Sequence, residues 1–215
     1  MLNTDIYAIT AEEYSLGRSN IEVVRQLIEA GVKIIQYREK EKKKLYKFRE
    51  CREIREMTKA AGVTFIVNDD IDLALAVGAD GVHVGQEDLP VEQVRRLVGK
   101  EMIIGLSTHS PEQAREAVKC GADYIGVGPI FATSTKKDVC APVGLEYLEY
   151  VVQNINLPFV AIGGIKEHNI LEVYNKGATC MAMVTEIVGA EDIPAKIKSI
   201  REKLAGYPRK ENVPY

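Results

Sequence analysis

The sequence predicts an α/β fold in which eight parallel strands close into a (β/α)8 barrel, the TIM-barrel architecture, in a single domain. Three observations predict it. Short apolar runs recur eight times, at Ile6–Ile9, Ile34–Tyr37, Phe65–Val67, Gly81–Val84, Met102–Leu106, Tyr124–Val127, Phe159–Ile162 and Met181–Val184. A longer amphipathic or charged segment follows each run. The 215 residues suit one large domain, since barrels of roughly 200 residues or more are ordinary.

The runs are short and β-branched, which favours strands buried on both faces over short helices. Between them, Ile21, Val24, Leu27 and Ile28 share one helical face, as do Leu73 with Val77, and Val94 with Leu97 and Val98. An open doubly wound sheet usually stops at about five to seven strands, so eight favour closure. Glycines follow several helical patterns, at Ala30-Gly31, Ala61-Gly62, Val77-Gly78, Cys120-Gly121 and Lys176-Gly177, where a left-handed residue ends a helix. Ser110-Pro111-Glu112-Gln113 reads as a capping box with proline at the first helical position. The barrel domain is expected over 1–205. A fraying tail over 206–215 carries two prolines.

Composition narrows the function. A net charge of −3 argues against nucleic acid as a partner, because a phosphate backbone demands clustered surplus cations. The basic run Lys40–Lys47 reads as a solvated helix face. Cys51, Cys120, Cys140 and Cys180 lie far apart with no Cys-x-x-Cys pair, so free thiols in a reducing cytoplasm are expected. No signal segment opens the sequence, and no apolar stretch reaches the roughly 18 residues a membrane helix needs. The expected partners are small molecules, with neither membrane nor nucleic acid, and a homo-oligomer is compatible with the sequence.

In such barrels the active site sits at the C-terminal ends of the strands. The second run ends Gln36-Tyr37-Arg38-Glu39-Lys40. Alternation puts Gln36, Arg38 and Lys40 on one face and Ile35, Tyr37 and Glu39 on the other. A glutamine and two cations suit a ligand with hydrogen-bonding edges and anionic oxygens, although a solvated strand end would read the same. Asn68-Asp69-Asp70 ends the third run, and Gly85-Gln86-Glu87-Asp88 follows the fourth. A lone aspartate there would merely cap the next helix. Two such turns side by side match Mg2+, which takes one or two carboxylates plus substrate phosphate oxygens. Asp69 and Asp88 are the expected ligands.

After the fifth run comes Ser107-Thr108-His109. Ser110 is the better cap, which leaves Ser107 free to donate elsewhere; His109 reads as a base or a structural residue, His83 and His168 as structural. Thr133-Ser134-Thr135-Lys136-Lys137 forms a polar loop after the sixth run, placed to order around a phosphorylated substrate or simply to face solvent. Gly163-Gly164 and Val184-Thr185 end the last two runs, where barrels often bind phosphate; Thr185–Val188 is expected to form a short helix there. No activated nucleophile, Walker loop or Gly-x-Gly-x-x-Gly is present. The site therefore positions two phosphorylated molecules and stabilises a departing pyrophosphate.

These motifs carry a resemblance. Gln36-x-Arg38-x-Lys40, Asn68-Asp69-Asp70, His83-x-Gly85-Gln86-x-Asp88, Ser107-x-His109, Gly128-Pro129-Ile130, Thr133-x-Thr135-Lys136-Lys137 and Ile162-Gly163-Gly164-Ile165 resemble, in order, those of the thiamine-phosphate synthase family. The resemblance implies condensation of 4-amino-2-methyl-5-hydroxymethylpyrimidine pyrophosphate with 4-methyl-5-hydroxyethylthiazole phosphate, giving thiamine phosphate and pyrophosphate. It implies Mg2+ on Asp69 and Asp88, and a pyrimidine contact from Gln36. Arg38, Lys40, Asn68, Ser107 and Lys136 would hold pyrophosphate, with Arg38, Ser107 and Lys136 carrying the catalysis. Thr133 and Thr135 would meet the thiazole side, and Gly164, Val184 and Thr185 would surround its phosphate. The implied route is dissociative: pyrophosphate leaves, and the thiazole nitrogen captures the pyrimidine methylene cation.

Two positions depart from the family pattern. Tyr37 stands where an aliphatic residue or phenylalanine is expected, and Ala132 where a proline often precedes the threonines. Two rivals are a thiazole tautomerase on the same barrel and a non-catalytic phosphate-binding regulator. Pro129, where the tautomerase would carry a histidine, and the paired aspartates favour the synthase.

Overall fold

Eight strands pair in sequence order as one parallel sheet. They are β1 (Ala8–Ile9), β2 (Ile34–Tyr37), β3 (Thr64–Asn68), β4 (Gly81–Val84), β5 (Ile103–Thr108), β6 (Tyr124–Val127), β7 (Phe159–Ile162) and β8 (Met181–Ala182). The computed structural model describes residues 2–135 and 140–207. Around the sheet run α1 (Asn20–Glu29), α2 (Lys44–Ala61), α3 (Ile71–Val77), α4 (Val91–Val98), α5 (Pro111–Lys119), α6 (Gly144–Asn154), α7 (Ile170–Asn175), α8 (Val184–Val188) and α9 (Ile193–Ala205). Ile6 forms a parallel bridge with Met181. The Tyr7 N–H donates to Met181 O at 3.0 Å, and the Met181 N–H to Asp5 O at 2.9 Å. The barrel closes through this seam, as the eight-run pattern predicts. The expected tail lies outside the described residues beyond Tyr207.

Period-two alternation divides the buried apolar residues into two sets. Tyr7, Ile9, Ile34, Ile66, Tyr124 and Val160 fill the barrel interior. Ile35, Tyr37, Phe65, Val67, Val82 and Ile104 face outward, beneath helix residues such as Val24, Leu27, Ile54, Val94 and Leu148. Each such side chain contributes about 1.5–3 kcal/mol on burial. Gly62 and Gly78 end α2 and α3 in the left-handed region, at φ 63° and 61°.

Several boundaries differ from the sequence expectation. Residue 6 only bridges, and β8 stops at Ala182, so Val184 opens α8 rather than ending a strand. Leu97 is 57% exposed while Val91 and Val94 are buried and Val98 packs against the core, so the buried stripe of α4 passes Leu97 by. Ser110 does cap α5 by accepting from the Gln113 N–H, but the Gln113 side chain accepts from the His109 N–H instead of completing a box. The reciprocal box occurs at Ser19 and Glu22, opening α1. All four cysteines are free. Among the described residues, no helix is long and apolar enough to cross a membrane.

A half-buried ion pair reinforces the seam. The Arg201 Nε donates to Asp5 Oδ2 at 2.6 Å, and its Nη1 to Ala30 O at 2.5 Å. Partial burial alone would raise the Asp5 pKa, but hydrogen bonding and charge from Arg201 outweigh it and hold the carboxyl below its ordinary range. A depressed carboxyl stabilises the fold above its unfolded pKa, near about 3.9, and that contribution disappears as pH falls through the folded value. Acidification from about pH 6 to pH 3 should therefore cost the wild type more stability in urea titrations than it costs Arg201→Ala. Parallel losses would refute this link.

Candidate active site

The polar strand ends converge on one cavity of about 650 Å³ at the C-terminal mouth of the barrel. Its wall includes Gln36, Arg38, Lys40, Asn68, Asp69, Asp88, Ser107, Thr133, Thr135, Gly164, Val184 and Thr185. Lys136 lies outside the described residues. Every other expected site residue is therefore brought to one place, although they follow strands spread from β2 to β8.

Alternation along β2 holds. Gln36 points inward, 3% exposed, and its Nε2 donates to the Tyr7 hydroxyl at 2.9 Å. Tyr37 points outward and donates to Glu50 on α2 at 2.6 Å; Glu39 accepts from Asn20 at 2.9 Å. The tyrosine that departs from the family pattern thus fastens β2 to α2, away from the cavity. The Arg38 backbone N–H is held by Thr10 Oγ1 at 2.9 Å. Its guanidinium has no protein partner among the described residues, and it faces the cavity. An unpaired cation on a cavity wall is a ready anion contact.

Asp69 sits at φ 59°, a left-handed conformation that costs an L-residue roughly 1–2 kcal/mol. Its backbone N–H is tied to His83 O at 2.8 Å. The strained turn aims the carboxylate at the Lys40 ammonium and toward Asp88. Burial raises the Asp69 pKa first; Lys40 pulls it down, but the facing charge and hydrogen bonding of Asp88 keep it raised overall. Asp88 is steadied by the Gly85 N–H, which donates to Oδ2 at 2.7 Å. Asp70 turns away. Its carboxylate accepts from Lys44 at 2.5 Å and Lys47 at 2.9 Å, and these partners outweigh the burial that would otherwise raise its pKa. Much of the basic run is thus spent on neighbouring acids, with Lys42 held by Glu12 and Glu50.

Two all-oxygen donors in mutual repulsion suit a hard divalent cation that takes its remaining ligands from water and phosphate. Among the described residues no group of three metal-binding side chains occurs, so a protein-only cage is not what this pair builds. The donor set fits Mg2+.

Ser107 leaves the capping of α5 to Ser110, as its sequence position implies, and has a partner inside the barrel. Its Oγ lies 2.9 Å from His83 Nε2, and His83 Nδ1 lies 2.9 Å from the Tyr124 hydroxyl. His109 Nδ1 donates to Gly128 O at 2.6 Å, which favours its structural role. The Thr133 and Thr135 hydroxyls are 3.1 Å apart. The twin glycines are needed for packing. A Cβ on Gly163 would meet Pro129 at 2.4 Å, and one on Gly164 would meet Ala132 O at 2.5 Å. Close loop–loop approach thus requires them whatever they do for phosphate. The expected short helix is α8, where Thr185 Oγ1 accepts from Lys166 at 2.7 Å. Sequence reasoning misses Tyr7, Tyr124 and Lys166. The tyrosines look like ordinary core residues, and Lys166 lies just past the glycines with no motif to mark it.

Comparison with known proteins agrees with this geometry. The family model for thiamine monophosphate synthase matches residues 6–187. A thiamine-phosphate synthase of Pelotomaculum thermopropionicum is 73% identical, over 94% of this chain and 92% of that protein. One from Lawsonia intracellularis is 56% identical, over 94% of each. Among solved structures, a thiamine phosphate pyrophosphorylase from Pyrococcus furiosus superposes with TM-score 0.86 at 35% identity, covering 95% of this chain and 97% of that one. A 3-hexulose-6-phosphate synthase, at TM-score 0.65 and 19% identity, shares the fold alone. With a family model covering most of its length and relatives matched over more than nine-tenths of both chains, the chain belongs to the thiamine monophosphate synthase family and is a transferase of thiamine biosynthesis.

Proposed function

We propose that the enzyme joins 4-amino-2-methyl-5-hydroxymethylpyrimidine pyrophosphate to 4-methyl-5-hydroxyethylthiazole phosphate, with Mg2+ held by Asp69 and Asp88. One observation carries the reading: an opposed pair of carboxylates and the Arg38 guanidinium, which has no protein partner among the described residues, line the same cavity. That arrangement suits a metal-bound diphosphate. Bound Mg2+ would neutralise charge growing on the departing diphosphate.

The residues supply the remainder. Arg38, Lys40, Asn68 and Ser107 line the diphosphate side, where donors matter most as negative charge accumulates. Gln36 presents an amide to the pyrimidine edge. Across the cavity, Thr133, Thr135, Gly164, Val184 and Thr185 would receive the thiazole phosphate and bring its ring nitrogen close to the methylene carbon. No protein nucleophile is needed, because bond breaking precedes capture. The family motif assigns Lys136 to the diphosphate as well.

Incubation with both substrates tests this. Thiamine phosphate should form in the presence of Mg2+, stop with EDTA and resume when Mg2+ is restored in excess. Turnover indifferent to the chelator would overturn the metal assignment, and tautomerised thiazole as sole product would favour the sister chemistry.

A further inference from the structure

A line of buried polar groups crosses the barrel interior beneath the cavity. Gln36 Nε2 donates to Tyr7 Oη at 2.9 Å, Tyr7 Oη lies 2.7 Å from Tyr124 Oη, Tyr124 Oη lies 2.9 Å from His83 Nδ1, and His83 Nε2 lies 2.9 Å from Ser107 Oγ. The tyrosines are at most 2% exposed, and burial raises both phenol pKa values, so both stay protonated. The rings are held tightly: a Cβ on Gly105 would meet Tyr124 Cζ at 2.2 Å and His83 Nδ1 at 2.4 Å.

With the Gln36 amide nitrogen turned toward Tyr7, as here, only one direction of donation satisfies every proton. The Gln36 amide nitrogen cannot accept, so Tyr7 must accept from it and send its own proton to Tyr124. Tyr124 then donates to His83 Nδ1, which leaves the imidazole proton on Nε2, pointing at Ser107 Oγ. In the reverse direction the Tyr7 proton would have no acceptor among the described residues, and a buried unsatisfied hydroxyl is expensive. With Ser107 accepting from His83, its own proton is left for the cavity that it lines.

We propose that Tyr7, Tyr124 and His83 are positioning residues: a one-way hydrogen-bond chain from Gln36 fixes His83 as the Nε2–H tautomer and makes Ser107 an outward donor. The chemical class served is an anionic oxygen, and its identification as diphosphate rests on the function proposed above. A serine hydroxyl normally turns to suit either a donor or an acceptor; this one is committed to a donor by Gln36, four hydrogen bonds away.

Nitrogen-15 NMR of the histidine side chains in the full protein, near pH 8 and assigned with His83→Gln, tests the direction. Wild-type His83 should show the Nε2–H form. Gln36→Glu replaces the donor by an acceptor of the same shape, which should reverse the chain and give the Nδ1–H form. Tyr124→Phe cuts the chain, so Tyr124→Phe with and without Gln36→Glu should give the same His83 spectrum. Calorimetric titration with inorganic pyrophosphate and Mg2+ adds a ligand readout. Gln36→Glu should weaken binding by about tenfold more in the wild-type background than in the Tyr124→Phe background. An Nδ1–H wild type, a tautomer indifferent to residue 36, or equal weakening in both backgrounds would each overturn the proposal. The wild-type spectrum decides the direction even if a variant misfolds. Tautomers that switch in a protein with no affinity for pyrophosphate would uphold the chain and discard the diphosphate reading.

Discussion

Asp69→Ala is expected to lower turnover roughly 10²–10³-fold, the usual loss when a preorganised charge-stabilising group is removed from an active site. The residue faces Asp88 from a left-handed turn that few side chains tolerate. Alanine removes one of the two proposed metal contacts and releases the Lys40 ammonium now resting on it. Two effects then compete. Loss of the proposed metal would weaken stabilisation of the leaving group, whereas a freed lysine would add a cation nearby. The first should win, because a lysine is a single flexible point charge, while a divalent ion would supply twice the charge. Activity assays across a Mg2+ titration separate the two. The variant should need far more Mg2+ and remain slow at saturation; near-normal turnover would remove Asp69 from the metal site. Arg38→Ala should show a comparable fall without the altered Mg2+ requirement.

Gly105→Ala is expected to destabilise the fold by about 3 kcal/mol, the upper end of ordinary overpacking. In a protein of this size that corresponds to a fall of roughly 6–12 °C in Tm. The added methyl would overlap the Tyr124 ring and the His83 imidazole, both pinned inside the barrel by neighbouring strands. Neither ring is the loose end of a flexible chain, so the strain cannot be relieved cheaply. Thermal unfolding followed by circular dichroism gives the magnitude. A Tm within a degree or two of wild type would mean that the interior yields more easily than its packing suggests.

How much of the molecule is legible from its sequence depends on the range of the signal. Strand positions and the inward turn of Gln36 follow from local β-branched runs and period-two alternation, so they read correctly. Asp69 and Asp88 are legible as neighbours because consecutive strands of a parallel barrel put their ends side by side. The chain through Tyr7, Tyr124 and His83 is not. Tyr7 and Tyr124 are 117 residues apart, and a tyrosine inside an apolar run gives no local sign of what its hydroxyl touches. The contact of Ser107 with His83 is hidden for the same reason. Leu97 looks like part of a helical stripe in sequence yet faces out, because the stripe that packs runs through Val91, Val94 and Val98 and leaves position 97 beside it. Val184 continues an apolar run across a strand–helix junction that hydrophobicity alone does not mark.

The seam between residues 5–7 and Met181, locked by Arg201, gives this protein a late finish. Residues 5–7 cannot meet Met181 until the intervening strands and helices have been synthesised, so until then nascent intermediates would expose the β1 edge that faces β8. Those edges are where chaperone capture or aggregation would begin, and the closing stitch fixes when the hazard ends.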